Sequence, residues 1–358
     1  MSDQALEISY RRKANISDLA RDAGVSTATV DRVLNRRGGV RLPTVHRVLN
    51  AADRLGYELP PGLLAGYQPR PMRLAFVLPQ GANGYLQMMA ETIGQSAEEM
   101  EPYNVECHID LVTSFNPKAL ADRLLSLAGD YDGVAFMALE HPLVREAVAA
   151  LHAEGVFVLT LISDLSNSPR AAFVGMDNRS AGRTAGLLLG RFIGTTDASS
   201  NKVAMFAGSL SYRGHEEREM GFRHILAENF PELEVIGLRE GQDDPASNYV
   251  LARALLEQHP DLVGIYNVGG ASEGIARALT EARTITRRER RVAFIGHGLT
   301  RETRAALVDG AIDAIINVPP EMLMRSAARI FCNLRDGRPP ASGIDPIPIG
   351  IFLRENLP

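Results

Sequence analysis

The segment GASEG at 270–274 has the spacing G-x-S-x-G, which in hydrolases places a nucleophilic serine at the turn between a strand and a helix. An apolar run precedes it and a helical pattern follows it. A triad also needs a downstream acid and a histidine: His297 is the only histidine after Ser272, and Glu281 and Glu289 are the candidate acids. Both acids fall in a helix or a charged turn and not after a strand, so serine hydrolysis is kept as an alternative hypothesis.

Other polar side chains follow short apolar runs in the region 72–358. The runs MRLAFVLP, VECHIDLV, GVAFMAL, VFVLTLI, KVAMFAG, VIGLR, LVGIYNVG, RVAFIG and AIDAIIN alternate with amphipathic stretches. This alternation predicts parallel strands joined by helices, in two doubly wound α/β lobes. Open α/β sheets bind small molecules at the carboxyl ends of their strands. The predicted effector-binding residues are Gln80, Asn83, Tyr85, Asp164, Asp177, Arg218, Asn267, His297 and Asn317.

Each of these residues also has a purely structural interpretation. Asp177 could cap the crossover helix, Arg218 could form a surface ion pair, and Asn267 could stabilise a turn. The prediction of a ligand site depends on several polar residues converging at strand ends.

The sequence contains no motif for a cofactor or a metal. Neither GxGxxG nor GxxxxGK[ST] occurs, and the two cysteines, Cys107 and Cys332, lie far apart with no Cys/His cluster. We therefore expect no cofactor, no metal site and two buried thiols.

Composition predicts an ordinary globular chain with a basic N-terminal part. The chain has 358 residues, 45% of them hydrophobic, and no apolar run approaches the roughly 20 residues that span a bilayer. We expect a cytoplasmic protein with no membrane partner. Residues 1–60 hold ten basic and seven acidic residues, which leaves 28 basic and 36 acidic residues for the remainder. An arginine-rich surface suits contacts with phosphate.

The segment 15–24, NISDLARDAG, predicts a short amphipathic helix, because its apolar residues recur at i, i+3, i+4 and i+7. Asn15 can cap it, Asp18 completes a capping box, and Gly24 can end it. A second helix can begin after Ser26, with Val30, Val33 and Leu34 buried. Its outward residues would then be Thr27, Ala28, Thr29, Asp31 and Arg32.

A third helix over 43–55 completes a small helical headpiece. The predicted division is a helix-turn-helix headpiece at 1–58, a linker at 59–71 and a two-lobe domain at 72–358. In a helix-turn-helix, the second helix enters the major groove of DNA. The alternative is a helical hairpin that contacts no DNA.

These segments, together with the α/β region, resemble the lac repressor family of bacterial transcription regulators, whose larger domain is similar to periplasmic binding proteins. The resemblance implies that Thr27, Ala28 and Arg32 read operator bases. It also implies that Ser26, Thr29 and Asn35 contact the DNA backbone, and we add Arg36 as a phosphate contact. The stretch REMGF, which contains Arg218, matches the family's RxxGF pattern, whose arginine holds ligand hydroxyls or carboxylates.

The chain departs from the family pattern in its headpiece and linker. Asp31 replaces a small polar residue beside the phosphates, where it could orient Arg32 or accept a hydrogen bond from cytosine. The linker ELPPGLLAGYQPRP has paired prolines that disfavour a hinge helix, so Leu63 or Leu64 is either a minor-groove wedge or part of a plain linker.

The cleft departs from the pattern as well. After RVAFIG the family's aromatic and aspartate are replaced by His297 and Gly298, and after IYN the usual aspartate is Val268. A sugar or polyol is the favoured ligand class, with phosphorylated, anionic and nitrogen-containing ligands as alternatives.

The sequence thus predicts an effector-controlled transcription regulator, a repressor, that binds operator double-stranded DNA as a homodimer or a tetramer. The runner-up is a cytosolic sugar-binding protein with a vestigial headpiece, and serine hydrolysis is the third hypothesis.

Overall fold

The computed structural model describes residues 14–60, 63, 70–194, 201–285 and 291–358. Its contacts divide the chain into two compact units. The first contains Met1–Pro71 with Cys332–Ser342, and the second contains Met72–Phe331 with Gly343–Pro358. Residues 332–342, which the sequence analysis assigned to the large domain, therefore pack within the first unit.

Three helices form the headpiece in the first unit: α1 (Ile16–Ala23), α2 (Thr27–Leu34) and α3 (Leu42–Arg54). The predicted capping box is present in α1, since Asn15 accepts from the Asp18 N–H while the Asp18 carboxylate accepts from the Asn15 N–H. Gly24 ends α1 with φ of 62°. The Ser26 side chain caps α2 by accepting from the Thr29 N–H. The predicted helices are confirmed, and α3 begins and ends one residue earlier than expected.

The headpiece core is formed by apolar side chains that recur on one face of each helix. Leu19, Val30, Val33, Val45 and Val48 are fully buried. Leu63 joins the same cluster and is also buried. It therefore points into the protein in this structure and not outward as a wedge would, while Leu64 lies outside the described residues.

Asp336 ties the segment 332–342 to α3 within the first unit. Its carboxylate is fully shielded from solvent and accepts hydrogen bonds from Asn50 (3.0 Å), Arg338 (2.6 Å) and Arg335 (3.2 Å). His46 lies 3.8 Å away. Burial alone would raise the pKa of Asp336, but His46 and the two arginines outweigh it and lower the pKa below its usual value.

The first lobe of the second unit is a parallel five-stranded sheet in the order β2-β1-β3-β4-β5. Its strands are β1 (Met72–Gln80), β2 (Val105–Thr113), β3 (Gly133–Phe136), β4 (Phe157–Leu161) and β5 (Ala172–Val174). The helices on this sheet are α4 (Gly84–Gly94), α5 (Ala97–Met100), α6 (Pro117–Ser126) and α7 (Pro142–Ala153).

The second lobe is a six-stranded sheet in the order β11-β10-β9-β8-β6-β7, and only β11 runs antiparallel to its neighbour. Its strands are β6 (Lys202–Ala207), β7 (Glu234–Glu240), β8 (Leu262–Asn267), β9 (Ala293–His297), β10 (Ala314–Asn317) and β11 (Gly350–Phe352). Its helices are α8 (Asn178–Ile193), α9 (Arg213–Asn229), α10 (Pro245–Gln258), α11 (Ser272–Ile285) and α12 (Arg301–Val308), and α13 (Pro320–Arg335) follows β10.

The predicted doubly wound α/β architecture is confirmed. The short strands β5 and β11, three residues each, are the ones that the sequence analysis missed. Among the described residues, no helix is long and apolar enough to cross a membrane.

Candidate functional site

The outward face of α2 carries the residues predicted to contact DNA. Ser26, Thr27, Ala28 and Arg32 are exposed, and Thr29 is half-buried. They are exposed because Val30, Val33 and Leu34 fix the opposite face of the helix in the core. The side chains Ser26 and Thr29 also bond one another at 2.9 Å.

Asp31 organises the C-terminal end of this face. Its carboxylate accepts from the Asn35 amide at 2.7 Å and from Arg37 at 3.0 Å. The sequence suggested that Asp31 orients Arg32. The structure shows that it orients Arg37 instead. Arg36 follows with φ of 53° and is exposed. The exposed guanidinium of Arg37 thus partly neutralises the carboxylate of Asp31.

A cavity opens between the two lobes of the second unit, where side chains from the strand ends of both sheets meet. Five of the nine predicted effector-binding residues line it: Asn83, Tyr85, Arg218, His297 and Asn317. The lining also includes polar residues His215 and Asp243 and apolar residues Leu86, Met137, Ile162, Met176 and Leu323.

Arg218 is the buried cation of the cavity wall. Only 6% of the residue is exposed, and it donates from Nε to Asn178 (2.8 Å) and from Nη1 to the Val268 carbonyl (2.6 Å). Burial lowers its pKa from the usual value. Both acceptors are neutral, so the bonds hold the guanidinium in place without neutralising its charge.

Two histidines beside Arg218 are held neutral. Burial lowers the pKa of His297 well below its usual range, and Arg218 lowers it further. Its Nε2 lies 2.8 Å from the Tyr266 hydroxyl, and its buried Nδ1 has no hydrogen-bond partner among the described residues. Burial likewise lowers the pKa of His215.

The tautomer of His215 follows from its partner. Nδ1 lies 2.8 Å from the Ser209 carbonyl oxygen, which can only accept, so Nδ1 carries the proton. The Ser209 N–H is 3.4 Å from the same atom, too long to compete. In the neutral imidazole of His215, Nε2 is therefore a hydrogen-bond acceptor. The cavity wall that contains His215 also contains the donor Arg218.

Asp164 and Asp177 do not line this cavity. Both border a separate surface depression that also includes Glu140, Arg213 and Glu216. Asp164 is paired with Arg170 and accepts from Thr160 at 2.6 Å. Asp177 is exposed and caps α8 by accepting from the Ser180 N–H at 2.9 Å.

Gln80 and Asn267 are also absent from the cavity lining. Gln80 ends β1 and is exposed. Asn267 is fully buried and bonds the Gly270 carbonyl, the Ser272 hydroxyl and the Gly269 N–H. Its polar atoms shape the loop after β8.

Sequence reasoning missed His215 and Asp243, although signals for both were present. His215 lies three residues before Arg218 on α9 and hence on the same helix face. Asp243 follows β7, and the rule that placed candidates after the other strands would have found it here.

The G-x-S-x-G motif does not form a nucleophile elbow. Ser272 is fully buried at the start of α11, and its hydroxyl accepts from Asn267 at 2.9 Å. An elbow presents its serine at an exposed turn. His297, the histidine proposed for the triad, is bonded to Tyr266 instead.

Comparison with known proteins agrees with this architecture. Residues 74–339, more than half of the chain, match the family described as periplasmic binding protein domain. The chain belongs to this family. Residues 15–59 match the family described as bacterial regulatory proteins, lacI family, so the predicted combination of headpiece and binding domain is confirmed.

Curated relatives are HTH-type transcriptional regulators. The chain is 32% identical over 172 residues to MalR of Streptomyces coelicolor, covering 46% of this chain and 47% of the relative. It is 27% identical over 218 residues to DegA of Bacillus subtilis, covering 60% of this chain and 61% of the relative. The matches thus span about half to three-fifths of these relatives.

Solved structures share the fold at low identity. GanP, a glucose-galactose binding protein from Geobacillus stearothermophilus, has a TM-score of 0.69 at 20% identity, covering 81% of this chain and all of that chain. A putative LacI transcriptional regulator from Bacteroides fragilis has a TM-score of 0.68 at 19% identity, covering 80% and 98% respectively.

Proposed function

We propose that this protein is a DNA-binding transcription regulator, a repressor, whose operator affinity is controlled by a small molecule bound between the two lobes. The observation that carries the proposal is the coexistence in one chain of a capped helix with an exposed polar face and a two-lobe cavity with a buried guanidinium. The lacI-family match and the regulator relatives support it.

In the proposed DNA complex, α2 lies in the major groove. Thr27, Ala28 and Arg32 face base edges, and the arginine suits a bidentate contact to guanine. The backbone and phosphate contacts come from the remaining residues of the interface, namely Ser26, Thr29, Asn35 and Arg36. The headpiece corresponds to 1–58 and the linker to 59–71. A homodimer or tetramer would present two headpieces to a palindromic operator in the cytoplasm.

The proposed effector is a sugar or polyol. Arg218 and Asn317 would bind its hydroxyl oxygens, while the acceptor atom of His215 and the imidazole of His297 would complete the polar wall. The apolar side chains of Met137 and Met176 would pack against its carbon skeleton. The proposed ligand contacts do not include Gln80, Asp164, Asp177 or Asn267, which do not line the cavity.

DNA binding is tested by a mobility shift on the DNA upstream of the protein's own gene, against random DNA of equal length. The complex should weaken steeply with salt, because bound basic residues release counterions from the DNA. A sequence preference that persists as the salt concentration rises supports the proposal. Equal affinity for both DNAs at every salt concentration contradicts it.

The effector role is tested with Arg218→Ala, using a panel of monosaccharides, sugar acids and polyols. A compound that shifts the operator affinity of the wild type by about 1 to 3 kcal/mol, the usual coupling range, should no longer do so in the variant. Ligand-free operator binding should persist. Arg223→Ala is the matched control, since Arg223 lies on the same helix but pairs with Glu219 outside the cavity. An unchanged response in Arg218→Ala contradicts the assignment.

A further inference from the structure

Three loops at the strand ends of the second lobe converge on Asp243. Gln242 and Asp243 have φ of 52° and 50°, a left-handed conformation that L-residues adopt at a cost and that is found where surrounding contacts enforce it. Asp243 is only 6% exposed although it is a carboxylate. The contacts around it must therefore compensate for both the backbone conformation and the buried charge.

The compensating contacts come first from the same lobe. Oδ1 of Asp243 accepts from the Gly270 N–H at 2.7 Å. The carboxylate also lies against two glycines, since a Cβ at Gly208 or Gly269 would be 2.5 or 2.4 Å from Oδ1. The loops after β6, β7 and β8 are thus packed around one carboxylate.

The other oxygen of Asp243 binds the opposite lobe. Oδ2 accepts from Nδ2 of Asn83 at 3.1 Å, a hydrogen bond to an ionised acceptor between residues 160 positions apart. The amide of Asn83 cannot turn away without loss, because its Oδ1 caps α4 by accepting from the N–H groups of Tyr85 (3.0 Å) and Leu86 (3.3 Å). The cap therefore aims the NH2 group at Asp243.

The approach of the two lobes here is close. A Cβ at Gly270 would lie 2.3 Å from Nδ2 of Asn83, so any larger residue at 270 would displace the Asn83 amide from its position beside Asp243. Asn83, Asp243 and Gly270 all line the cavity. Any change in the hydrogen bond between Asn83 and Asp243 thus acts at the edge of the ligand site.

We propose that Asn83 and Asp243 form a latch that sets the separation of the two lobes at the cavity. They are positioning residues: the latch fixes the distance across which the wall residues Arg218 and His297 face the first lobe. Its consequence for DNA binding rests on the proposed function, but the latch itself is a property of the two-lobe unit and can be measured without DNA.

The test is a reciprocal exchange of the two side chains. Asp243→Asn places two NH2 groups against one another, and Asn83→Asp places two carboxylates there. The double variant Asn83→Asp with Asp243→Asn restores one donor and one acceptor, keeps the cap of α4, and retains an acceptor for the Gly270 N–H. The four proteins form a double-mutant cycle, which isolates the pairwise interaction.

Lobe separation is measured on the full chain by electron paramagnetic resonance distances between spin labels at Ala153→Cys and Ala227→Cys. Both positions are exposed, one in each lobe. The native cysteines are replaced, and labelled protein is diluted with unlabelled protein so that only distances within a chain are observed. Circular dichroism verifies folding.

Each single exchange should lower the population of short label-to-label distances relative to long ones by about tenfold. This is the effect expected for losing a hydrogen bond to a charged group. The double exchange should recover most of the wild-type ratio. A folded single variant with the wild-type distribution, or a double variant no closer to wild type than the singles, overturns the latch.

A second pair of variants decides the question if an exchanged protein fails to fold. Asn83→Ala removes the latch and the cap but leaves the bond between Asp243 and Gly270. Asn116→Ala removes an asparagine cap from α6 in the same lobe, where the Asn116 side chain accepts from the Ala119 N–H. Asn83→Ala should lengthen the distance and Asn116→Ala should not; equal distances in both overturn the proposal.

Discussion

The headpiece and the two-lobe cavity are held together over very different sequence distances. The hydrogen bonds at the ends of α1 and α2 are mostly local, joining residues two to six apart, as in Asn15 with Asp18 and Asp31 with Arg37. Those at the cavity join residues much further apart, such as Arg218 with Asn178 (40) and Tyr85 with Val318 (233). Local interactions can be deduced from a short stretch of sequence, whereas the cavity exists only after both sheets have formed.

The contrast is incomplete, because the first unit also contains one long-range cluster. Asn50 and Asp336 are 286 residues apart and share a hydrogen bond within it. Substitutions that remove either a local or a long-range contact should therefore differ in the size of their effects.

The largest effect is expected for Gly182→Ala in the scaffold of the cavity. A Cβ at Gly182 would lie 2.0 Å from the carbonyl oxygen of Arg218, so α8 and α9 must separate. Since the obstacle is backbone and not a flexible side chain, we expect a loss of about 3 kcal/mol in the free energy of unfolding. Chemical denaturation followed by circular dichroism measures it.

Gly94→Ala is the control for that substitution. Gly94 is the last residue of α4, and its added Cβ would meet the nearest atom, of Ile109, at 3.6 Å. The change should be neutral or stabilising by up to about 1 kcal/mol. Equal losses in both variants would show that the close approach of α8 to α9 does not matter.

The second effect tests the long-range cluster of the first unit. Asp336→Asn removes the buried charge that His46, Asn50 and Arg338 surround, and should destabilise α3 by about 3 kcal/mol at pH 7. Residue-resolved amide exchange in α3, normalised at each pH to unstructured peptides, measures this loss. Asp345→Asn, an exposed position in the described chain, is the control.

The pH dependence of that loss has a definite sign. Because the folded state lowers the pKa of Asp336, its stabilisation is present above the unfolded pKa of about 3.9 and disappears as the pH falls through the folded value. Wild type and Asp336→Asn should therefore begin to converge as the pH falls below about 3.9. A difference that grows on acidification contradicts this account.

The third effect separates base reading from phosphate binding on the headpiece. Arg32→Ala should weaken operator binding by about 1 to 3 kcal/mol with little change on random DNA, because a guanine contact is lost. Arg36→Ala should weaken both DNAs alike. Fluorescence anisotropy titrations measure the four affinities, and parallel losses for both variants would reject the assignment.

The smallest effect tests a local contact. Ser26→Ala removes the cap of α2, whose hydroxyl accepts from the Thr29 N–H at 3.1 Å, and should destabilise the headpiece by about 1 kcal/mol. Ser17→Ala, an exposed serine inside α1, should change little. Amide exchange in α2 distinguishes them, and a loss as large as that of Asp336→Asn would contradict the comparison.

Local features of the headpiece could be predicted from the sequence, whereas the orientation of side chains at the cavity could not. The caps Asn15 and Ser26 and the terminator Gly24 were predicted because each acts within a few residues. Among the cleft candidates, position after a strand end did not determine orientation. Asn267 turns into its own loop, and Asp177 caps α8, whereas Arg218 reaches the cavity from the middle of a helix.

The sequence alone determined the helix-turn-helix, the α/β alternation, the family and the excess of basic over acidic residues in 1–60, because periodicity, caps and composition are properties of contiguous residues. Tertiary structure decided that Asp243 meets Asn83 and that the Tyr85 hydroxyl donates to the Val318 carbonyl. These pairings depend on how two sheets and their helices pack, and packing brings together residues whose separation along the chain carries no signal of their contact.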